Sequence, residues 1–386
     1  MTSLQPAAKQ RFYYLDSARG LAALSVITWH FIAAVTDINM PGTAVTSPIH
    51  FFWYGQADVI FFFIHSGFIL AYSYTGDQKT LTPVSYIKFL IERVFRIYPL
   101  FIFILILSYF LKNSIFPISN GGFTSAGLHE FWAREYNLAS VFKQAVLFIA
   151  IPKEGNLRLI PQDWTLTVEL VAGAMIPFMA FIARRNVWIY WPAIFIAIVV
   201  LHMNTYLFEF AMGVFLFHQW DQIRILWQRA GMFIKCGAVG LAIVLYSCFF
   251  QFPSLFNTEQ VVFRPGVDRF IVIMGCCLFF CVTISSAAAQ KILSLPLLVT
   301  IGRICYSIYL VHMVLLICFA DYMMAKLRLW IPLWYPGQLF VAFGIFLITT
   351  ILVSYITYAI IEKPFNRIGK VISAATGTHL QRLLKK

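Results

Sequence analysis

Long apolar runs follow one another along almost the whole chain, separated by short polar segments. A hydrocarbon core of about 30 Å takes roughly 20 apolar residues of helix to cross. The runs at 18–36, 55–74, 98–112, 164–183, 187–201, 205–220, 236–251, 269–287, 304–320 and 336–361 are the predicted spans. The shortest, 98–112, 187–201 and 205–220, are the weakest of the ten. Residues 141–151 are also apolar but few, and Lys143 interrupts them. They read as a re-entrant or interfacial piece within a long extracytoplasmic loop, 113–163. The expectation is an all-α, polytopic integral membrane protein with about ten transmembrane helices.

Composition strengthens that reading. Apolar residues make up 60% of the 386 and charged residues 12%, against roughly 45–50% and 25% in soluble proteins. No single soluble core of this size hides so much apolar surface. The net charge of +13 is spread between the apolar runs and forms no single patch, so no nucleic-acid partner is expected. With ten spans both termini share one side. Placing them in the cytoplasm gives the cytoplasmic segments twenty Lys and Arg and the outer segments nine, the bias that inserted chains follow. The predicted organisation is a cytoplasmic N-terminal segment (1–15), a membrane domain (16–364) and a basic cytoplasmic tail (365–386) lying on the anionic inner leaflet. Lys9 and Arg11 precede the first span as in a signal peptide, but Arg19 and His30 inside the run argue against cleavage. The seven cysteines show no paired metal-site spacing, and no metal is expected.

Ionisable groups inside membrane helices are costly and mark function. Arg19 and His30 are eleven residues apart on the first span. That separation is within about 20° of three helical turns and about 16 Å of axial rise, so both project from one face. Asp16, three residues before Arg19, is placed to pair with it. The second span carries His65, Ser66 and Gly67; the glycine permits close helix approach and the serine a hydrogen bond across it. Arg93 and Arg96 share a face at the cytoplasmic mouth of the third span, and two guanidiniums there suit a phosphate-bearing ligand. Trp164 and Glu169 begin the fourth span from the outer side. Glu209 lies similarly inside the sixth, and each carboxylate needs a partner or a wet cavity. Tyr309 and His312, three apart, line a cavity or satisfy each other.

These residues, in this order, resemble the membrane acyltransferase family 3, the bacterial O-acyltransferases that modify surface polysaccharides, exopolysaccharides and some small molecules. The likeness runs from about Tyr14 to Pro364. It rests on Arg19 with His30, the Phe62–Phe68 stretch, Arg93-x-x-Arg96-x-x-Pro99, Trp164 to Glu169, Glu209-Phe-x-x-Gly213, Tyr306-Ser307 with Tyr309 and His312, and Glu362 before Pro364. The family's basic residue ahead of Glu-Phe-x-x-Gly is missing near Asn204. The resemblance implies an acyl-CoA donor, acetyl-CoA first among them, and transfer of the acyl group to a hydroxyl of a cell-envelope polysaccharide or lipid-linked glycan. It implies a multi-pass protein of the bacterial inner membrane.

On this reading His30 is the base for the acceptor hydroxyl, and Arg19 binds donor phosphate or orients the thioester. Arg93 and Arg96 bind CoA phosphates beside Ser66 and Gly67. Glu169 holds the acceptor or tunes a histidine. Asp16, His65, Trp164, Glu209, Tyr309 and His312 support the site. The competing expectation is a transporter or flippase, since intramembrane Arg, His and Glu also serve proton relays; it lacks the inverted repeat and matched broken helices of such proteins.

Overall fold

A computed structural model describes residues 12–35, 48–75, 81–116, 126–146, 158–251, 267–330 and 335–384. Every regular element among them is helical. In chain order they are α1 (Tyr13–Val35), a 3₁₀ turn (Pro48–Trp53), α2 (Gly55–Thr75), α3 (Pro83–Ser114), α4 (Ala126–Ala133) and α5 (Leu138–Ala145). Next come α6 (Asp163–Arg185), α7 (Val187–Val199), α8 (Leu207–His218), α9 (Trp220–Arg229) and α10 (Met232–Gln251). The last are α11 (Val267–Ser285), α12 (Ala287–Leu293), α13 (Pro296–Arg303), α14 (Cys305–Trp330), α15 (Tyr335–Thr357), a π-helical turn (Tyr358–Glu362) and α16 (Lys363–Leu383).

Four of these helices are long and apolar enough to cross a membrane alone: α2, α3, α6 and the continuous stretch Gly337–Leu383. Two sharply bent pairs, α11 with α12 at 87° and α13 with α14 at 68°, raise the number to six if each pair is one span. Val187–Val199, Leu207–His218 and Met232–Ser247 are shorter apolar helices. The predicted span 98–112 is the second half of a 32-residue helix, α3, whose first half carries Arg93 and Arg96. A capping box starts that helix: the Thr82 hydroxyl accepts from Ser85 N at 3.2 Å, and Pro83 follows at the first turn. Of the piece 141–151, the structure describes 141–146, most of it in the short helix α5; 147–151 lie outside the described residues.

α1 is the axis of the molecule. It packs on α2, α13 and α14, and α2 in turn packs on α8 and α6. Two glycine contacts set these crossings. A Cβ on Gly20 would lie 2.7 Å from Gly302 N, so α1 and α13 touch backbone to backbone there. Gly67 and Gly213 do the same where α2 crosses α8, each against the other helix's main chain. Gly67 is therefore a packing position with no room for a ligand, which replaces its expected donor-binding role.

The basic tail is helical and packed. α16 lays one face on the first half of α3: Gly369 meets the Phe95 side chain, and the Ser373 hydroxyl donates to Glu92 Oε1 at 3.0 Å. The π-helical turn between α15 and α16 buries Glu362 to 2% exposure. Extra-residue turns of this kind re-aim side chains and are frequent at functional sites.

Candidate active site

Two cavities meet at the middle of the helix bundle. The first is lined by Arg19, Ser66, Arg96, Glu169, Cys305 and Tyr306, among others. The second, the roomier, is lined by His30, Gln56, Gln162, Trp164 and Tyr206, among others. Val59 and Tyr309 line both. The eleven-residue spacing on α1 therefore delivers Arg19 to one chamber and His30 to the other.

In the arginine chamber every guanidinium has a partner. Arg19 Nε donates to Cys305 Sγ at 2.9 Å, a contact made possible by the close crossing at Gly20 and Gly302. The carboxylates of Asp16 and Glu169 also act on Arg19 electrostatically. Arg96 pairs with Glu362, whose second oxygen accepts from the Ser307 hydroxyl at 2.7 Å. Tyr306 stacks beneath the Arg96 guanidinium and donates its hydroxyl to Ile97 O at 2.7 Å. Arg93 lies 4.0 Å from Glu169 and outside the lining of either cavity. The net effect is a chamber with three arginines in or beside it, Arg19, Arg93 and Arg96, and three carboxylates, Asp16, Glu169 and Glu362, acting on them.

Glu169 changes its expected place. Read from sequence it faces the outer, acceptor side with Trp164. Five residues of α-helix, however, turn the chain about 140° and carry it about 7.5 Å deeper. Trp164 thus lines the histidine chamber, while Glu169 lines the arginine chamber and pairs with Arg93.

In the histidine chamber His30 Nδ1 lies 3.1 Å from His312 Nε2, and the two rings stack with centroids 5.1 Å apart. His312 Nδ1 is 3.1 Å from Ile308 O. A carbonyl only accepts, so Nδ1 of His312 carries the proton and its Nε2, in the neutral ring, accepts. The proton between the rings then sits on His30 Nδ1. His30 Nε2 is left with its lone pair, the form a base needs.

The seam between the chambers is braced by hydrogen bonds. The Tyr309 hydroxyl shares a hydrogen bond with Thr165 Oγ1 at 2.8 Å. Gln162 Nε2 donates to Tyr309 O at 3.1 Å and to Leu310 O at 3.3 Å, which holds the start of α6 against α14. The loop ahead of α6 is fixed in turn from α4 and α5. Trp132 Nε1 donates to Leu159 O at 2.9 Å, Gln144 Nε2 to Asp163 Oδ2 at 2.7 Å, and Arg158 pairs with Asp163. Gln162 was invisible to sequence reasoning, because a glutamine beside a proline in a loop carries no pattern.

Two further expected site residues stand apart from both chambers. His65 Nε2 lies 3.0 Å from Leu15 O, among the rings of Phe61 and Phe280, where it fastens α2 to the start of α1. Glu209, fully buried, pairs with Arg269 of α11. Arg269 also donates to Thr205 Oγ1 at 2.9 Å and lies 4.0 Å over the Tyr206 ring. The basic partner missing near Asn204 thus arrives from a helix sixty residues later. Through it Glu209 sets Tyr206, which does line the histidine chamber.

Residues 12–359 match the acyltransferase domain family. The chain belongs to the acyltransferase 3 family. It is also similar to the exopolysaccharide production protein ExoZ of Rhizobium meliloti (strain 1021), at 26% identity over 347 residues, covering 85% of this chain and 95% of that one. No solved structure matches it. The matched region holds both chambers, their seam and the Arg96–Glu362 pair up to its carboxylate partner, which lies three residues past the match. In this acyltransferase Val59 and Tyr309 line both cavities.

Proposed function

We propose that this acyltransferase moves an acyl group, acetyl in the simplest case, from acyl-CoA in the cytoplasm to a hydroxyl of an envelope carbohydrate outside. The carrying observation is the pair of abutting chambers: one basic, one with an imidazole whose Nε2 is free to take a proton. The arginine chamber is the donor side. Its lining takes Arg96 from α3, next to the Arg93 turn that the positive-inside bias assigns to the cytoplasm. A ten-pass arrangement with both ends inside fits the same assignment. The Rhizobium relative's part in exopolysaccharide production supports a glycan as acceptor.

In this reading Arg19 and Arg96 hold the pyrophosphate or orient the thioester carbonyl. Arg93 and Glu169 form a gate-post ion pair at the mouth. The pantetheine arm reaches the seam, so the thioester carbon lies between Tyr309 and His30. The acceptor hydroxyl enters the histidine chamber, His30 Nε2 takes its proton, and the oxygen attacks the thioester carbon. The C–O bond forms as the C–S bond breaks, and the CoA thiolate leaves into the arginine chamber, where guanidiniums stabilise it. A positioned base of this kind is worth about 10²–10⁴ in rate. His312 holds the His30 tautomer and spreads the developing positive charge.

The test is acceptor-dependent release of CoA by the purified full chain in detergent, with radiolabelled acetyl-CoA. Label transferred to saccharide supports the enzyme. Saturable acetyl-CoA binding with no release of CoA in the presence of any saccharide acceptor refutes it.

A further inference from the structure

Arg19 differs from its neighbours in what holds it. Arg96 pairs with Glu362, and Arg93 lies 4.0 Å from Glu169. Among the described residues no carboxylate comes within ion-pair distance of Arg19; Asp16 and Glu169 act on it from further away. Its hydrogen bond runs from Nε to the Cys305 sulfur, at 2.9 Å. A thiol sulfur is a weak acceptor and brings no counter-charge. The charge of Arg19 is thus left without a close partner inside a membrane domain. That arrangement is costly and marks a place where a ligand supplies the missing charge.

The same contact sets the direction of the guanidinium. The group carries five N–H donors in one fixed plane, and the thiol takes the one on Nε. Nη1 and Nη2 make no hydrogen bond among the described residues, and neither is sealed from the cavity that Arg19 lines. Their N–H groups form the fork that meets two phosphate oxygens at once. Arg96 lines the same cavity, but Glu362 supplies its counter-ion and Tyr306 covers one face. The placement has a local cause. Arg19 precedes Gly20, Cys305 follows Gly302 by three residues, and the two glycines bring α1 and α13 together backbone to backbone. The first residue of α14 is thereby delivered to the Arg19 side chain. Cys305 is itself only 2% exposed, so what it does is done through Arg19.

We propose that Cys305 is a positioning residue for the donor. It anchors Nε of Arg19, turns the Nη fork into the arginine chamber, and leaves the guanidinium's charge uncompensated for the donor's phosphates. This inference rests on the acyl-transfer reading and adds to it a residue that the reading does not use. It also separates the two lining arginines: Arg19 carries the open charge, and Arg96 a charge that the fold has already matched.

The experiment compares Cys305→Ala, Cys305→Ser and Cys305→Asp with wild type, as full chains in detergent. Equilibrium dialysis with tritiated CoA, without acceptor, reads binding. Cys305→Ala leaves Arg19 free to turn and is expected to raise the Kd about tenfold. Cys305→Ser restores a neutral acceptor and is expected to recover affinity to within about threefold of wild type. Cys305→Asp closes Arg19 in an ion pair and is expected to raise the Kd at least about tenfold. In turnover assays the Ala and Asp changes raise the KM of acetyl-CoA and leave that of acetyl-pantetheine, which has no phosphate, unchanged. A merely structural role raises both. Equal loss with the two donors, CoA bound as tightly by Cys305→Ala as by wild type, Cys305→Ser as impaired as Cys305→Ala, or no saturable CoA binding by wild type overturns the inference. Should Cys305→Asp fail to fold, the comparison of Ser with Ala decides. CoA binding that follows the expected pattern, with no acyl transfer to any saccharide, would instead sink the enzymatic reading and leave the role of Cys305 standing.

Discussion

Nδ1 of His30 and Nε2 of His312 lie 3.1 Å apart, on helices whose contacting residues are 282 positions apart in the chain. The pair fixes one tautomer across two rings, because Ile308 O claims the proton on His312 Nδ1. His30→Ala is expected to lower kcat by about 10²–10⁴. His312→Ala leaves His30 free to turn and is expected to cost less, about tenfold to a hundredfold, with the acetyl-CoA KM unchanged. Steady-state kinetics on folded, membrane-inserted variants reads both.

Arg96 and Glu362 join α3 to the π-helical turn after α15, and Ser307 completes the carboxylate's bonding. Glu362 is fully enclosed while Arg96 is 22% exposed, so removing the carboxylate's charge leaves the guanidinium without its counter-ion but not without water. Glu362→Gln is expected to destabilise the protein by about 1–3 kcal/mol. A loss of thermal stability in detergent, measured beside the conservative Ser307→Ala, checks it; the serine change removes one hydrogen bond and is expected to cost about 1 kcal/mol.

Tyr309 and Val59 wall both chambers, and the Tyr309–Thr165 hydrogen bond holds Tyr309 in place at the seam. Widening that seam admits larger acyl groups. Val59→Ala and Tyr309→Ala are expected to raise the ratio of hexanoyl to acetyl transfer at least about tenfold, since each added methylene that finds room is worth about 0.8 kcal/mol. Val59→Phe is expected to lower transfer of both. Competition assays with mixed acyl-CoA donors measure the ratio directly.

Glu209 and Arg269 act as one unit under Tyr206. Either single change to a neutral residue strands a buried charge, whereas the double change strands none. Glu209→Gln and Arg269→Met are each expected to cost more stability than the pair together, a coupling readable in a double-mutant cycle.

Much of this architecture was legible from residue patterns, and the exceptions have physical causes. The Arg19–His30 spacing survives intact because α1 is one unbroken helix, and helical phase is a local property. The pairing of His312 with His30 needed tertiary packing; sequence left Tyr309 and His312 as cavity residues or each other's partners, and α14 instead offers one to Thr165 and the other to α1. Glu169 was read on the outer side with Trp164; the structure sets it beside Arg93 in the cavity of Arg19, a neighbour that helical phase alone does not name. His65 and Gly67 drew attention as intramembrane polar and small residues, yet one fastens a backbone carbonyl and the other a helix crossing. Arg269, Gln56 and Gln162 carried no motif. They are defined by what stands opposite them in space, which periodicity does not report.

The central claim is that the basic chamber and the imidazole chamber are consecutive stations of one transfer across the bilayer. Proteoliposomes of the full chain, with radiolabelled acetyl-CoA confined to one face and a membrane-impermeant oligosaccharide to the other, test it most directly. The account predicts labelled oligosaccharide on the face opposite the donor, abolished in His30→Ala. Label appearing only when donor and oligosaccharide share a face, or at the wild-type rate in His30→Ala, would contradict it.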